Sequence, residues 1–403
     1  MQAIEARLSV AATAVRSSVF AELQARVDAF RRAGGALIPL QIGDTHLAPP
    51  DAALAALRDA EVSTVSTYGA VPGLPELRAV LAARLAANGH ARVTGPSNVH
   101  VGAGCTHALF CAVRAVLDPG DEVLVLTPYW PLIPGVLSTA GAVPVEVPLT
   151  QSLYGNEPTD IAAALRERLS PRTRGLYVTS PNNPDGYVYS RAELEAVREF
   201  AIAHDLWVFS DEVYADFVYD GVHVPLANLQ GMEGRTVTGH SLSKSHALAG
   251  ARIGYVSASE RVIDAARRIA NHTVYNVPVP MQRMALAAVQ HGDAFVSEAR
   301  ALYREARDRS VEALAAHGVP HHVPRGGSFV FVELASRLGG HGVLRALELA
   351  VDRGVLLAPG DAFGAAHTTA ARLCFTGVPV GEVLRGIERF ASALDALALE
   401  NPS

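Results

Sequence analysis

The sequence predicts an α/β fold: a large domain built on a mostly parallel, seven-stranded sheet covered by helices, followed by a smaller α+β domain. Three observations carry this. The chain has 403 residues, 49% of them hydrophobic and 18% charged, enough to bury a sizeable core in one large domain or two coupled ones. Between about residues 99 and 257, short apolar runs alternate with longer helical stretches, the βαβ rhythm of a sheet covered on both faces. Past about residue 280 the rhythm gives way to a long helical region, then an alternating strand and further helices.

In chain order, Phe20, Leu23, Val27 and Phe30 recur at helical spacing, with Ser17 or Ser18 placed to cap the start and Gly34-Gly35 to end the helix. Leu37 to Leu40 and the Pro49-Pro50 pair form an extended lead into the main body. The predicted strands are Val99–Val101, Val123–Leu126, Val143–Val147, Leu176–Val178, Trp207–Phe209, Thr236–Thr238 and Ile253–Val256. Helices are expected over about Thr106 to Leu117, Ile161 to Leu169 and Arg191 to His204. The C-terminal part reads as a long helical region to about His317, a strand at Phe329–Val332, a helix near Leu344 to Arg353 and a last helix from Gly381 to Leu397. The expected division is 1–48 as an N-terminal segment packing on the small domain, 49–290 as the large domain and 291–403 as the small one.

Composition excludes several functions. A net charge of -6 without a Lys/Arg run offers neither nucleic acid nor an anionic membrane a basic surface. Cys105, Cys111 and Cys374 are an odd number without C-x-x-C spacing, which argues against a disulfide framework and a zinc site. The N-terminal stretch lacks the apolar core of a secretory signal, and no apolar run approaches a spanning helix of about 20 residues. A soluble cytoplasmic protein acting on small molecules is expected, with no metal: the remaining histidines, His321-His322 among them, show no ligand spacing.

Of 34 basic residues all but one are arginine, and the exception is Lys244. Compositional drift explains the arginines, and chance survival of one surface lysine is the plain account of the exception. A lysine amine can also do what guanidinium cannot, which is to lose its proton and form a Schiff base.

Four predicted strands end in residues that make sense together, since an open α/β sheet gathers ligands beyond the carboxyl ends of its strands. Val101-Gly102-Ala103-Gly104-Cys105-Thr106 runs from strand into helix, where free N–H groups would hold a phosphate; a bare turn is the competing account. Ser180-Pro181-Asn182-Asn183-Pro184-Asp185-Gly186 is rich in turn formers. Asp211 follows an apolar run, as a helix cap or as the partner of a cationic ring nitrogen. Ser241-Leu242-Ser243-Lys244, with Arg252 eight residues on, brings the sole lysine together with hydroxyls and a guanidinium. A phosphate cup, a Schiff-base amine, a carboxylate and an arginine are what pyridoxal phosphate requires.

With these residues in hand, the sequence resembles the fold type I pyridoxal-phosphate enzymes of the class I/II aminotransferase group, over roughly Ser17 to Leu397. The S-x-S-K…R-x-G segment, D-E-V-Y at Asp211–Tyr214 and N-N-P-x-G at Asn182–Gly186 carry it. The resemblance implies an aspartate-aminotransferase-like fold, pyridoxal 5'-phosphate as cofactor, an L-amino acid and a 2-oxo acid as substrates, and a homodimer with shared active sites. It assigns Lys244 as the Schiff-base lysine and proton shuttle, Asp211 as the partner of the pyridine nitrogen, and Asn183 and Tyr214 as donors to the cofactor's phenolic oxygen. Gly104, Cys105, Thr106, Ser241, Ser243 and Arg252 match phosphate-binding positions. Trp130 matches the aromatic stacked on the ring, with Tyr129 a near competitor, and Tyr68 matches a tyrosine that reaches the other subunit's phosphate.

Arg372 resembles the arginine that binds the substrate α-carboxylate, where Asn183 also stands. Asp185 replaces the family's usual threonine in N-P-T-G, and Gly43-Asp44-Thr45-His46-Leu47 departs from the family where the chain approaches the substrate. Gly43 and His46 are therefore substrate-binding candidates, although a solvated loop histidine is the commoner case. Tyr275 lies in a region that in relatives reaches the partner's site, and could instead fill the interface. The altered segment leaves a β- or γ-elimination, replacement or cyclisation enzyme, such as a C-S lyase, as the alternative to an aminotransferase, because one Cα carbanion serves them all. A regulator using this fold as an effector domain is disfavoured by the acidic balance.

Overall fold

The computed structural model describes residues 7–9, 12–13, 15, 21–61, 63–155 and 159–400. Ser17, Ser18 and Phe20, read as part of the first helix, lie outside the described residues. The elements that build the fold are, in order, α1 (Ala21–Arg32), β1 (Ile38–Pro39), α2 (Asp51–Arg58), α3 (Pro75–Ala87), β2 (Val99–Ala103), α4 (Gly104–Val116), β3 (Glu122–Thr127), α5 (Ile133–Thr139), β4 (Val143–Pro148), α6 (Ile161–Glu167), β5 (Thr173–Thr179), α7 (Arg191–Ala203) and β6 (Trp207–Asp211). There follow β7 (Thr236–Ser241), β8 (Ile253–Ser257), α8 (Glu260–Asn271), α9 (Val279–His291), α10 (Asp293–Ala316), β9 (Phe329–Glu333), α11 (Val343–Asp352), β10 (Val355–Leu356), β11 (Ala358–Pro359), β12 (Ala370–Cys374) and α12 (Val380–Leu397).

The seven predicted strands form one sheet in the order β2-β8-β7-β6-β5-β3-β4. All pairings are parallel except the two made by β8, which runs antiparallel to β2 and β7. Successive side chains of a strand point to opposite faces, and both faces here are dry. Val123, Val125, Tyr177 and Phe209 join one core beneath α4 and α8, whereas Leu124, Leu126, Leu176, Val178 and Val208 join another beneath α6 and α7. The α7 start is fixed by a reciprocal capping box between Ser190 and Glu193, which satisfies two otherwise free N–H groups.

The C-terminal half resolves differently from its sequence reading. The single helical region expected up to His317 is two helices, α9 and α10, interrupted at Gly292, where an added Cβ would lie 2.2 Å from the Ala288 carbonyl. The strand expected at Phe329–Val332 is β9, which pairs with β12 in a three-stranded antiparallel sheet completed by β11. The extended lead at Leu37 to Leu40 supplies β1, parallel to β10. Leu23 and Val27 of α1 and Leu40 after β1 share a core with Tyr303, Leu347 and Phe390 of α10, α11 and α12. Arg26 of α1 adds a hydrogen bond of 2.8 Å to Asp352 at the end of α11.

Candidate active site

The parallel strands bring their polar ends to one edge of the sheet, the place expected for a ligand. Asp211 ends β6, Ser241 ends β7, Gly104 follows β2, Trp130 follows β3 and Asn183 follows β5. Arg252 sits on the same edge because it precedes the antiparallel β8. All of them but Gly104 border a cavity of about 360 Å³ that is also lined by Cys105, Thr106, Tyr214, Ser243, Lys244, Gly43 and Arg372. The sequence did not single out Gln41, Thr179 or Phe329, which line it too, nor its apolar rim of Ile42 and Leu132, each about half exposed. An amide, a threonine and a phenylalanine carry no distinguishing pattern, so only the fold reveals them.

Lys244 lies in a short helical turn, Leu242–Ser245, that begins where β7 ends, and Ser241 caps that turn through a 3.1 Å bond from the Ser243 N–H. Its Nζ donates to the Gly43 carbonyl. Burial lowers the ammonium's pKa, opposed by Asp44, so the neutral amine is easier to reach than in water. Gly43 is fixed as glycine by Phe329, whose ring would lie 2.3 Å from an added Cβ.

Asp211 is buried, accepts from Tyr177 Oη at 2.6 Å and from the Val213 N–H at 3.2 Å, and its pKa is pushed up to about 6 by burial against the pull of these bonds. Arg252 and Gly104 approach closely: Gly104 has φ +77, and an added Cβ would lie 2.5 Å from the Arg252 guanidinium. Gly254 on β8 leaves room for the Cys105 N–H, which would meet an added Cβ at 2.1 Å. This is a cradle of backbone N–H groups and a guanidinium from which a side chain on either glycine would be excluded.

Arg372 on β12 is buried between the rings of Phe329 and Phe363, 4.1 and 4.8 Å from their centroids. It donates to Asn183 Oδ1 at 2.9 Å and to the Gln41 carbonyl at 2.5 Å. No carboxylate pairs with it among the described residues, and its Nε and the Gln41 Oε1 are buried without a partner. A guanidinium held this way by neutral groups is poised for an anion. Burial also pushes its pKa below the ordinary arginine range.

Of the two adjacent aromatics Trp130 lines the cavity, whereas Tyr129 turns into the core and bonds Glu146 at 2.6 Å. His46, Tyr68, Tyr275 and Asp185 also stand apart from the cavity. His46 is exposed and its Nδ1 bonds the Thr376 carbonyl at 3.0 Å, which ties the altered segment to the C-terminal half. Tyr68, 86% exposed, meets Tyr275 edge-to-face at 5.2 Å between ring centroids on the surface of the chain. Asp185 does not reach the cavity either; its carboxylate accepts from Asn182 at 2.9 Å and from the Tyr187 N–H at 3.0 Å, shaping the turn that presents Asn183.

The histidines, given no ligand role from spacing, do converge at one place: His90, His223 and Glu212 come together behind Asp211 although 133 positions separate the two imidazoles.

The profile of the Aminotransferase class I and II family matches residues 36–390, and the chain belongs to that family, whose members depend on pyridoxal phosphate. It is an aminotransferase. Aspartate/prephenate aminotransferase of Thermus thermophilus is 33% identical over 392 residues, covering 96% of this chain and 98% of that protein. Arginine–pyruvate transaminase of Pseudomonas aeruginosa is 34% identical over 369 residues, covering 90% and 91%. The structure of Thermus thermophilus aspartate aminotransferase with maleate superposes with a TM-score of 0.87 at 31% identity, covering 96% of this chain and all of that one. No helix among the described residues is long and apolar enough to cross a membrane.

Proposed function

We propose that the cavity at Lys244 holds pyridoxal 5'-phosphate and that the enzyme moves the amino group of an L-amino acid to a 2-oxo acid in two half-reactions. The observation that carries this reading is that the only lysine of the chain lines the same cavity as Asp211, Arg252 and Arg372. The donors match the group: N–H groups and Arg252 for a phosphate, Asp211 for a protonated ring nitrogen, Trp130 for a ring face, and Asn183 and Tyr214 for a phenolic oxygen. When bound, the cofactor supplies an electron sink for the charge left at the substrate Cα.

The chain's residues do the rest. The Arg372 guanidinium, which has no carboxylate partner among the described residues, takes the substrate α-carboxylate, with Asn183 beside it, and so fixes the direction of the Cα–H bond. Lys244 Nζ, its ammonium destabilised by burial, takes the proton from Cα and returns it on the other side of the transfer. Asp211, anchored by Tyr177 and the Val213 N–H, keeps a proton on the ring nitrogen. The apolar rim of Ile42, Leu132 and Trp130 limits water at the reacting carbon.

In the same reading the enzyme is a cytoplasmic homodimer, in which the exposed Tyr68 and Tyr275 pair serves the site of the second subunit. The division at 1–48, 49–290 and 291–403 belongs to it as well, supported by the packing of Leu23, Val27 and Leu40 against the C-terminal helices. The elimination reading is less well supported: the relatives are aminotransferases, and of the altered segment only Gly43 lines the cavity.

Two measurements test the proposal. Lys244→Ala should remove the visible absorbance of the bound cofactor and its trapping on the protein by borohydride, and a variant still trapped covalently would overturn the assignment. Purified holoenzyme mixed with a pool of amino acids and no 2-oxo acid should accumulate pyridoxamine phosphate and a matching 2-oxo acid, identified by mass spectrometry. Release of ammonia or a thiol with the cofactor unchanged would instead establish elimination or replacement.

A further inference from the structure

A second cavity, of about 330 Å³, lies behind the first and shares Val213 and Ser241 with it. Into it face His90, which follows α3, Glu212, which follows Asp211, and His223 from the next loop. The Nε2 atoms of His223 and His90 lie 2.8 and 3.6 Å from Glu212 Oε2, and the three ligand atoms fall within 4.8 Å of one another.

Two features distinguish this cluster from an ordinary buried ion pair. Glu212 is oriented: its Oε1 accepts from Ser210 Oγ at 2.8 Å and from the Leu226 N–H at 3.3 Å, which turns Oε2 toward the imidazoles. His90 is left over. Its side chain is 5% exposed and packs edge-on to His240 at 5.1 Å, and its Nε2 stands 3.6 Å from Glu212 Oε2, beyond hydrogen-bond distance. The ring therefore faces the cavity without being committed to another group.

We infer that His90, Glu212 and His223 form a site for a zinc-class divalent cation, with the fourth position open to the cavity. Two imidazoles and one carboxylate are borderline donors suited to zinc, whereas calcium and magnesium take oxygen ligands. Tetrahedral donors at about 2.1 Å from zinc stand ~3.4 Å apart, between the 2.8 and 3.6 Å separations here. With Nε2 of His223 as the ligand its proton sits on Nδ1, a buried atom that has no hydrogen bond to give up. Ser210 and Leu226 are the outer partners that hold the carboxylate in place. The ion would join α3, the end of β6 and the following loop one residue away from Asp211.

Chelator-treated holoenzyme, titrated with Zn²⁺ by calorimetry and assayed for bound metal, should take up one zinc per chain. His223→Asn would leave the Glu212 carboxylate short of a partner and risk the fold, so the deciding variant is His90→Asn, whose ring stands beyond hydrogen-bond distance of Glu212. That variant should keep the cofactor's absorbance and lose the zinc, and Ser210→Ala should bind it about tenfold more weakly. Cys111→Ser and His322→Asn, which alter a thiol and an imidazole outside the cluster, should bind as the parent does. Cobalt loaded in place of zinc should give the intense visible bands of a four-coordinate ion, absent from His90→Asn. A parent enzyme that takes up no saturable zinc, or a His90→Asn variant that binds it equally well, overturns the site.

Discussion

Arg372 on β12 donates a 2.9 Å hydrogen bond to Asn183 in the loop after β5, across 189 positions of sequence. That bond joins the small antiparallel sheet to the carboxyl edge of the large one, so the groups assigned to the substrate carboxylate and to the cofactor are set relative to each other by one contact.

Arg372→Leu should therefore lower kcat/KM by about 100-fold, the cost of ~2–3 kcal/mol for losing a desolvated charge pair, mainly through a raised KM. Arg372→Lys should recover only part of it, because an ammonium cannot present the two-pronged donor. Steady-state kinetics with the best amino donor check this, and an unchanged KM would remove Arg372 from the site.

Asp211 gives a pH signature in the protein freed of cofactor. Burial lifts its carboxyl from 3.8 to about 6, and so the protonated form is the one the fold favours. That contribution is complete below about pH 4 and is lost as pH rises through about 6, leaving a buried carboxylate at a cost of roughly 3 kcal/mol. Asp211→Asn should accordingly match the parent near pH 4 and be more stable by about 1–3 kcal/mol above pH 7 in urea unfolding, while activity falls at least about 100-fold. A stability difference that does not change with pH would show that Asp211 is not the group responsible.

At Gly104, alanine would meet both an unfavourable φ of +77 and the Arg252 guanidinium at 2.5 Å. The strain of about 1–2 kcal/mol should displace Arg252 and weaken pyridoxal phosphate binding roughly tenfold, measured by titrating the apoprotein. If the affinity is unaltered, the cradle does not hold the phosphate.

The shared-site reading predicts complementation. Lys244→Ala and Tyr68→Ala homodimers should both be impaired, yet subunits mixed and refolded together should regain activity. One site of each mixed dimer combines an intact Lys244 with an intact Tyr68. Activity no higher than the average of the two parents would place Tyr68 outside the neighbouring site.

Much of this architecture is legible from residue order alone. The strands show as short apolar runs because both sheet faces are buried, and Lys244, Asp211 and Arg252 stand at strand ends where polar residues interrupt those runs. The break at Gly292 was not legible, since one glycine in a helical pattern is usually tolerated and only the Ala288 carbonyl makes it decisive. Gln41 and Phe329 reach the cavity by tertiary packing without any periodic signal. The meeting of His90 with Glu212 and His223 is hidden for a related reason: ligand spacing can be read within a helix or a loop, but not between the end of α3 and the far side of β6.

The solitary lysine has a practical corollary. Apart from the α-amino group, the chain's only primary amine lines its cavity, so an acylating or imidating reagent selective for amines has two targets, told apart by peptide mass, and no other lysine competes. The rate of modification at Lys244 is a direct gauge of how open the cavity is. It can be followed on unlabelled protein by mass alone, and compared with and without an occupant.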